Sequence, residues 1–187
     1  ATSEDFNLTG NYNIDFKQNE VAGPEVEISK ASNSITIDGK LDEWQNNNAT
    51  VIEIDGISDA EGNERTADEL KSHFSVNRLL MTYDDNGIYI AFDVFDDKLD
   101  VKTINDFWLG DCVEIFMTDI TNMPTADMQV YRNDGGVMQL ALAPTWESNN
   151  YVTFGASRTN DKYIDHKDLI KAKFETNTTG YTGELLI

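Results

Sequence analysis

Cysteine is nearly absent from this chain: Cys112 stands alone. No internal disulfide can form, so a disulfide-stapled scaffold is excluded. Basic residues are scarce as well, 14 Lys and Arg against 34 Asp and Glu, which gives a formal charge of -20. A field of that sign repels phosphate backbones and anionic lipid, which argues against nucleic acid and membrane partners. It suits a neutral polymer or cations, although solubility alone accounts for most of the charge. No apolar run approaches the roughly 18 residues that a membrane span requires, and no signal peptide opens the chain. The start, ATSEDF, reads as a mature N-terminus or as an artificial boundary. Two histidines, one cysteine and no nucleophile motif leave no catalytic constellation. Glu114 with Asp111 or Asp119 is the nearest thing to a glycosidase pair, and the chain is expected not to be an enzyme.

What is present is a globular composition: 187 residues, 40% hydrophobic and 10% aromatic, enough for one domain with an arm. Residues 1–33 form the arm. Phe6, Leu8, Tyr12, Ile14 and Phe16 alternate with polar residues, Gly23-Pro24 interrupts, and Val26 and Ile28 resume, as in extended edge strands that pair on their own sheet or on a neighbour's. Ile35 and Ile37 form a short strand, Asp38-Gly39 a tight turn, and Leu41 and Trp44 return to the core at i, i+3 spacing. Val51, Ile52 and Ile54 form another strand, and Asp55 to Glu69 a polar loop. Leu79 to Tyr83 and Ile88 to Val94 flank DDNG, a hairpin turn that uses Asn-Gly. Met128 to Arg132 and Val137 to Ala143 form a second hairpin, followed by strands at Tyr151 to Ala156, Ala172 to Thr176 and Tyr181 to Ile187. Short strands joined by Gly, Asn and Asp turns, with scarcely a helix, predict an all-β, antiparallel, jelly-roll-like β-sandwich over 34–187.

The stretch Asn105 to Asp119, NDFWLGDCVEIFMTD, is the most informative. It combines an exposed aromatic pair, Phe107-Trp108, a Gly110-Asp111 turn and a strand. Val113, Ile115 and Met117 share one face of that strand, and Cys112, Glu114, Phe116 and Thr118 the other. Trp108 is either a core indole or a platform on which the C–H face of a sugar ring can stack. Trp146, between Pro144 and the polar run Glu147 to Asn150, is a second candidate platform, partly exposed. Trp44 is a core residue.

Four pieces in order, SITIDGKLDEW, RLLMTYDDNGIYIAFDVFDD, FWLGDCVEIFMTD and GYTGELLI, resemble carbohydrate-binding modules of family 9 over about Ser34 to Ile187. The resemblance implies a secreted, non-catalytic β-sandwich that binds oligo- or polysaccharide of plant type or its chain ends, commonly attached to a catalytic domain, with structural calcium. It places Trp108 as one clamp tryptophan and Glu114 as the carboxylate that bonds sugar hydroxyls. The family's basic contact falls on the following strand, where this chain has Gln129, Tyr131 and Arg132; strict register puts Tyr131 there and Arg132 on the opposite face. The second clamp tryptophan lies beyond the GYxxE strand, so the last strands are expected to be missing.

For calcium, the turn acids Asp42, Asp96, Asp97 and Asp111 are the candidate ligands among several acidic clusters, none of which has the spacing of a calcium loop. Solvated turn aspartates are the plainer account of any single one. The alternative function is structural: an arm of alternating apolar residues and a chain ending in a strand would let subunits complete one another's sheets and self-associate into a filament or surface layer.

Overall fold

The computed structural model describes residues 26–52, 57–58, 64–65, 73–118, 137–146, 152–154, 159 and 161–187. Its strands run β1 (Thr50–Val51), β2 (Ile57–Ser58), β3 (Glu64–Arg65), β4 (Phe74–Asp84), β5 (Gly87–Asp96), β6 (Val113–Thr118), β7 (Val137–Leu142), β8 (Val152–Phe154), β9 (Lys171–Asn177) and β10 (Gly180–Leu186). They build a five-stranded sheet in the order β1-β4-β5-β10-β9 and a three-stranded sheet in the order β6-β7-β8, with β2 and β3 forming a separate ribbon inside the stretch expected to be loop. Every ladder is antiparallel. Among the described residues a short α-helix, Asp161–Ile164, and a 3-10 turn, Lys167–Leu169, precede β9.

The expected DDNG hairpin is the longest ladder. Asp84 pairs with Gly87, so Asp85 and Asn86 alone make the turn, the two-residue loop whose twist matches that of the strands. The pairing runs back to Phe74 opposite Asp96 and shifts register between Val76 and Arg78, where Asn77 bulges. The bulge leaves Val76, Leu79 and Met81 on the same core side, which strict alternation would not do.

Alternation then decides the layers. Ile90, Phe92, Val94, Phe174, Tyr181 and Leu185 of the larger sheet meet Met138, Leu140, Leu142 and Val152 of the smaller one in a single buried cluster. This is the sandwich interior. Phe92, Phe174 and Tyr181 form its aromatic centre, with ring centroids 5.5 to 6.4 Å apart. Gly183 belongs here for steric reasons, since a Cβ on it would collide with the Phe92 ring.

The outer face of the larger sheet is closed by the segment before β1. Leu41 and Trp44 pack with Leu80, Tyr89, Ala91 and Leu186, and Ile35 and Ile37 join them. Ile35 and Ile37 do not form the expected strand: their segment has no ladder partner and contributes apolar side chains from irregular backbone. A 3-10 turn, Glu43–Asn46, carries Trp44 inward. The end of the arm runs beside its own sheet, with Lys30 bridging Tyr83 and the Ala31 amide donating to the Tyr83 carbonyl at 2.8 Å.

One acidic side chain fastens that cover. Glu184 of β10 is fully buried, and its Oε2 accepts from the backbone N–H of Asp38 at 2.8 Å and of Gly39 at 2.6 Å. Its Oε1 accepts from the Trp44 indole N–H at 2.6 Å. Gly39 sits at φ +90°, where an L side chain is strained, and a Cβ would stand 2.8 Å from the Phe174 carbonyl carbon. Burial pushes the Glu184 carboxyl above its ordinary value even though these three donors pull the other way. Removing an acceptor here strands buried N–H groups, at about 1–3 kcal/mol for an uncompensated donor. Glu184→Gln should therefore cost about 1–3 kcal/mol in thermal or denaturant unfolding, because an amide turns an NH2 toward a donor. An unchanged melting temperature would show that the tie carries no weight.

Candidate functional site

The outer face of the smaller sheet is built by the residues that the interior does not use. Val113, Ile115 and Met117 point inward, so Glu114 and Phe116 project outward, as the period of two predicts. Across the ladder Glu114 pairs with Ala141 and Phe116 with Gln139. Ala141 and Ala143 are buried under Phe107 and Trp146, with Val101, Ile104 and Cys112 around them. A small apolar cap thus covers one end of this face. Glu114, Gln139 and Phe116 lie along its continuation.

The cap is held by Trp146, which donates its indole N–H to the Lys102 carbonyl at 2.9 Å. It is only 7% exposed. The expectation of partial exposure at Trp146 is overturned: the alanines of β7 leave a depression that an indole and the Phe107 ring fill together, 6.4 Å apart between centroids. The Phe107-Trp108 pair also divides. Phe107 is buried, while Trp108 is 60% exposed and Leu109 is exposed beside it. They share the 3-10 turn Phe107–Leu109, whose tight winding sends neighbouring side chains in different directions. The Trp108 ring stands edge-on to Phe107 at 5.3 Å. Below the turn, the Thr103 hydroxyl donates to Asp106 at 3.0 Å and the Leu109 amide to the Asp106 carbonyl at 2.9 Å.

Glu114 is exposed, and its Oε2 accepts from Gln139 Nε2 at 2.7 Å. Gln139 is 5% exposed. Its backbone is held beyond the end of β8 by Thr159, whose hydroxyl accepts from the Gln139 amide at 3.0 Å and donates to its carbonyl at 3.1 Å. Alternation on β7 could have marked Gln139 as the outward neighbour of Glu114, but the sequence reading passed over it. The other expected contacts, Gln129, Tyr131 and Arg132, lie outside the described residues.

The candidate metal ligands do not all meet. Asp96 accepts from the Lys98 amide at 2.9 Å, and Asp97 lies 2.8 Å from His73 Nδ1. Asp111 accepts from the Asp100 amide. Burial, followed by the nearby charges of Asp111 and Asp97, holds the Asp96 carboxyl above its ordinary value. Asp42 stands apart in the segment that covers the larger sheet, where with Lys40, Gln45, Arg78 and Glu175 it lines a cavity of about 360 Å³. Among the described residues no three His, Cys, Asp or Glu side chains converge, so these carboxylates alone do not make calcium's shell of six to eight oxygens.

Over residues 37–187 the chain matches the model of the carbohydrate family 9 binding domain-like family. The chain belongs to that family. Among solved structures it is similar to a carbohydrate-binding module of family 9 from Caldicellulosiruptor kristjanssonii in complex with cellotriose, at 18% identity and a TM-score of 0.53 over 86% of this chain. The chain spans 66% of that structure's length. No curated protein matches it. Membership of family 9 makes this a domain of a carbohydrate-binding class, and the all-β sandwich agrees with it. Among the described residues no helix is long and apolar enough to cross a membrane.

Cys112 sits where the cap meets the Glu114 row. Burial first, then the charges of Glu114 and Asp111, push its thiol up to about 11. The reactive thiolate is therefore present only as pH rises toward that value. Alkylation by iodoacetamide at pH 8 should run about a hundredfold slower than for a free cysteine peptide and accelerate in Glu114→Gln. A rate at pH 8 equal to the peptide's would contradict the assigned surroundings of this residue.

Proposed function

We propose that this domain binds the pyranose rings of a polysaccharide without cleaving it, on the outer face of the three-stranded sheet. The observation that carries the reading is the exposed Trp108 indole, displayed one residue from a ring seated on Ala141, the ladder partner of Glu114. A sugar's C–H face stacks on an indole. The hydroxyls around that ring need partners once water is displaced, and the exposed Glu114 carboxylate, oriented by the buried Gln139 amide, offers an acceptor. A similar fold holds cellotriose, so a β-linked glucan is the first ligand to try, and an acidic chain of charge -20 suits a neutral polymer.

Catalysis is not part of the reading: the family whose model matches is a binding-domain family, and hydrolysis needs two carboxyls facing one scissile bond. Binding of plant-type polysaccharide or its chain ends places the domain outside the cell, in a secreted protein that joins it to a catalytic partner. Structural calcium stays part of the reading only as the family resemblance implies it; Asp96 and Asp111 would hold such an ion, with backbone carbonyls and water supplying most of its shell.

Calorimetric titration with cellotriose, with and without a chelator, tests the whole reading. The intact chain should bind no more tightly than about micromolar, and Trp108→Ala should weaken binding at least about tenfold. Unchanged affinity in Trp108→Ala would move the site elsewhere, and heat-stability indifferent to the chelator would remove the ion from the account.

A further inference from the structure

The turn that displays Trp108 belongs to a loop whose two ends meet at Asp100 and Asp111. The pairing is reciprocal: the Asp111 amide donates to the Asp100 carbonyl at 3.1 Å, and the Asp100 amide donates to Asp111 Oδ2. Gly110 permits this approach, because a Cβ there would collide with the Asp100 carbonyl and stand 2.7 Å from Lys102 Cγ. The Asp100 carboxylate is turned instead to the Lys102 ammonium, 2.7 and 2.8 Å from its two oxygens. Lys102 in turn accepts the Trp146 indole N–H on its carbonyl. The half-buried Asp111 side chain thus ties the far end of the Trp108 turn to the segment on which the cap is fastened.

We propose that Asp111 is a positioning residue for sugar binding: by accepting the Asp100 amide, its carboxylate straps the Trp108 turn in place and holds the indole ready for a pyranose. The proposal rests on the binding reading above and deepens it. The turn itself is short, Phe107–Leu109, and a single 3-10 turn has little hold of its own. Phe107 anchors it on one side, through its ring in the cap, and the Asp111 strap anchors it on the other. Without the strap the Asp100 amide loses its acceptor and the loop samples further arrangements. Each one that misplaces the indole lowers the fraction of molecules competent to bind, and the apparent affinity falls by that fraction. The strap uses an acceptor oxygen and not a charge, so an amide of the same shape can take the carboxylate's place.

The test reads Trp108 and the sugar separately in the unmodified chain, Asp111→Ala, Asp111→Asn, Trp108→Ala and the double variant Trp108→Ala/Asp111→Ala, each checked for a cooperative melting transition. In Asp111→Ala the heteronuclear NOE of the 15N-labelled Trp108 indole should drop while that of Trp44 holds, and cellotriose should bind about fivefold to tenfold more weakly by calorimetry. Asp111→Asn should keep the Trp108 signal and bind within about twofold of the unmodified chain. Once Trp108 is replaced, removing Asp111 should add less than about a twofold further loss. An unchanged Trp108 indole in Asp111→Ala would overturn the strap. So would an Asp111→Asn as weak as Asp111→Ala, since a charge or an ion would then be the cause, and so would an undiminished loss in the Trp108→Ala background. Should Asp111→Ala not fold, Gly110→Ala forces the same contact apart and should loosen the same indole; an unmoved indole there contradicts the strap. If Asp111→Ala loosens Trp108 but Trp108→Ala binds cellotriose as the unmodified chain does, the strap holds the turn while the binding reading fails, and with it the role proposed for Asp111.

Discussion

A buried carboxylate with all its donors supplied by one distant segment is the constraint on which the rest depends. Glu184 reaches from the last strand to the Asp38-Gly39 turn and the Trp44 indole, more than 140 positions earlier in the chain for each backbone donor. Such a group is costly to bury unless every lone pair it exposes is met. Meeting them fixes the path of the cover segment over the larger sheet. Leu41, Trp44, Ile35 and Ile37 then close that face with apolar contact.

With the outer face of the larger sheet closed, the proposed recognition falls to the outer face of the smaller one. The smaller sheet has the same alternating pattern as the larger, and among the described residues its outer face carries a cap of Phe107 and Trp146 over two alanines. That cap is tied to the preceding loop by the Trp146 bond to Lys102, and Trp108 stands outside it, exposed. Preorganised display of an aromatic face costs less on binding than ordering a mobile loop. The same sheet keeps Glu114 bonded but exposed, with a buried amide as its neighbour.

Much of this was legible in the sequence because a period of two carries real information about strands. The inward set of β6, the Asp84 to Gly87 turn and the core role of Trp44 follow from pattern and turn chemistry. The bulge at Asn77 and the irregular path of Ile35 to Ile37 do not, since both depend on which partner strand is present. Trp146 misled for a related reason. Its polar neighbours suggested exposure, but the depression it fills is created by alanines on another element, and no local window shows that. Glu184 was visible within GYTGELL, yet its role required knowing that Trp44 and Gly39 fold back onto β10. Gln139 is outward by simple alternation, and only its pairing with Glu114 needed the ladder.

The central claim is that ligand meets the Trp108 face and never the sealed one. The chain has three tryptophans, each in a different setting: Trp44 bonded to Glu184, Trp146 bonded to Lys102, and Trp108 open. A 15N-labelled chain titrated with cellotriose should therefore show large shifts of the Trp108 indole and Gln139 side-chain amide signals, with the Trp44 indole unmoved. Shifts at Trp44 while the Trp108 and Gln139 signals stay in place would contradict the account.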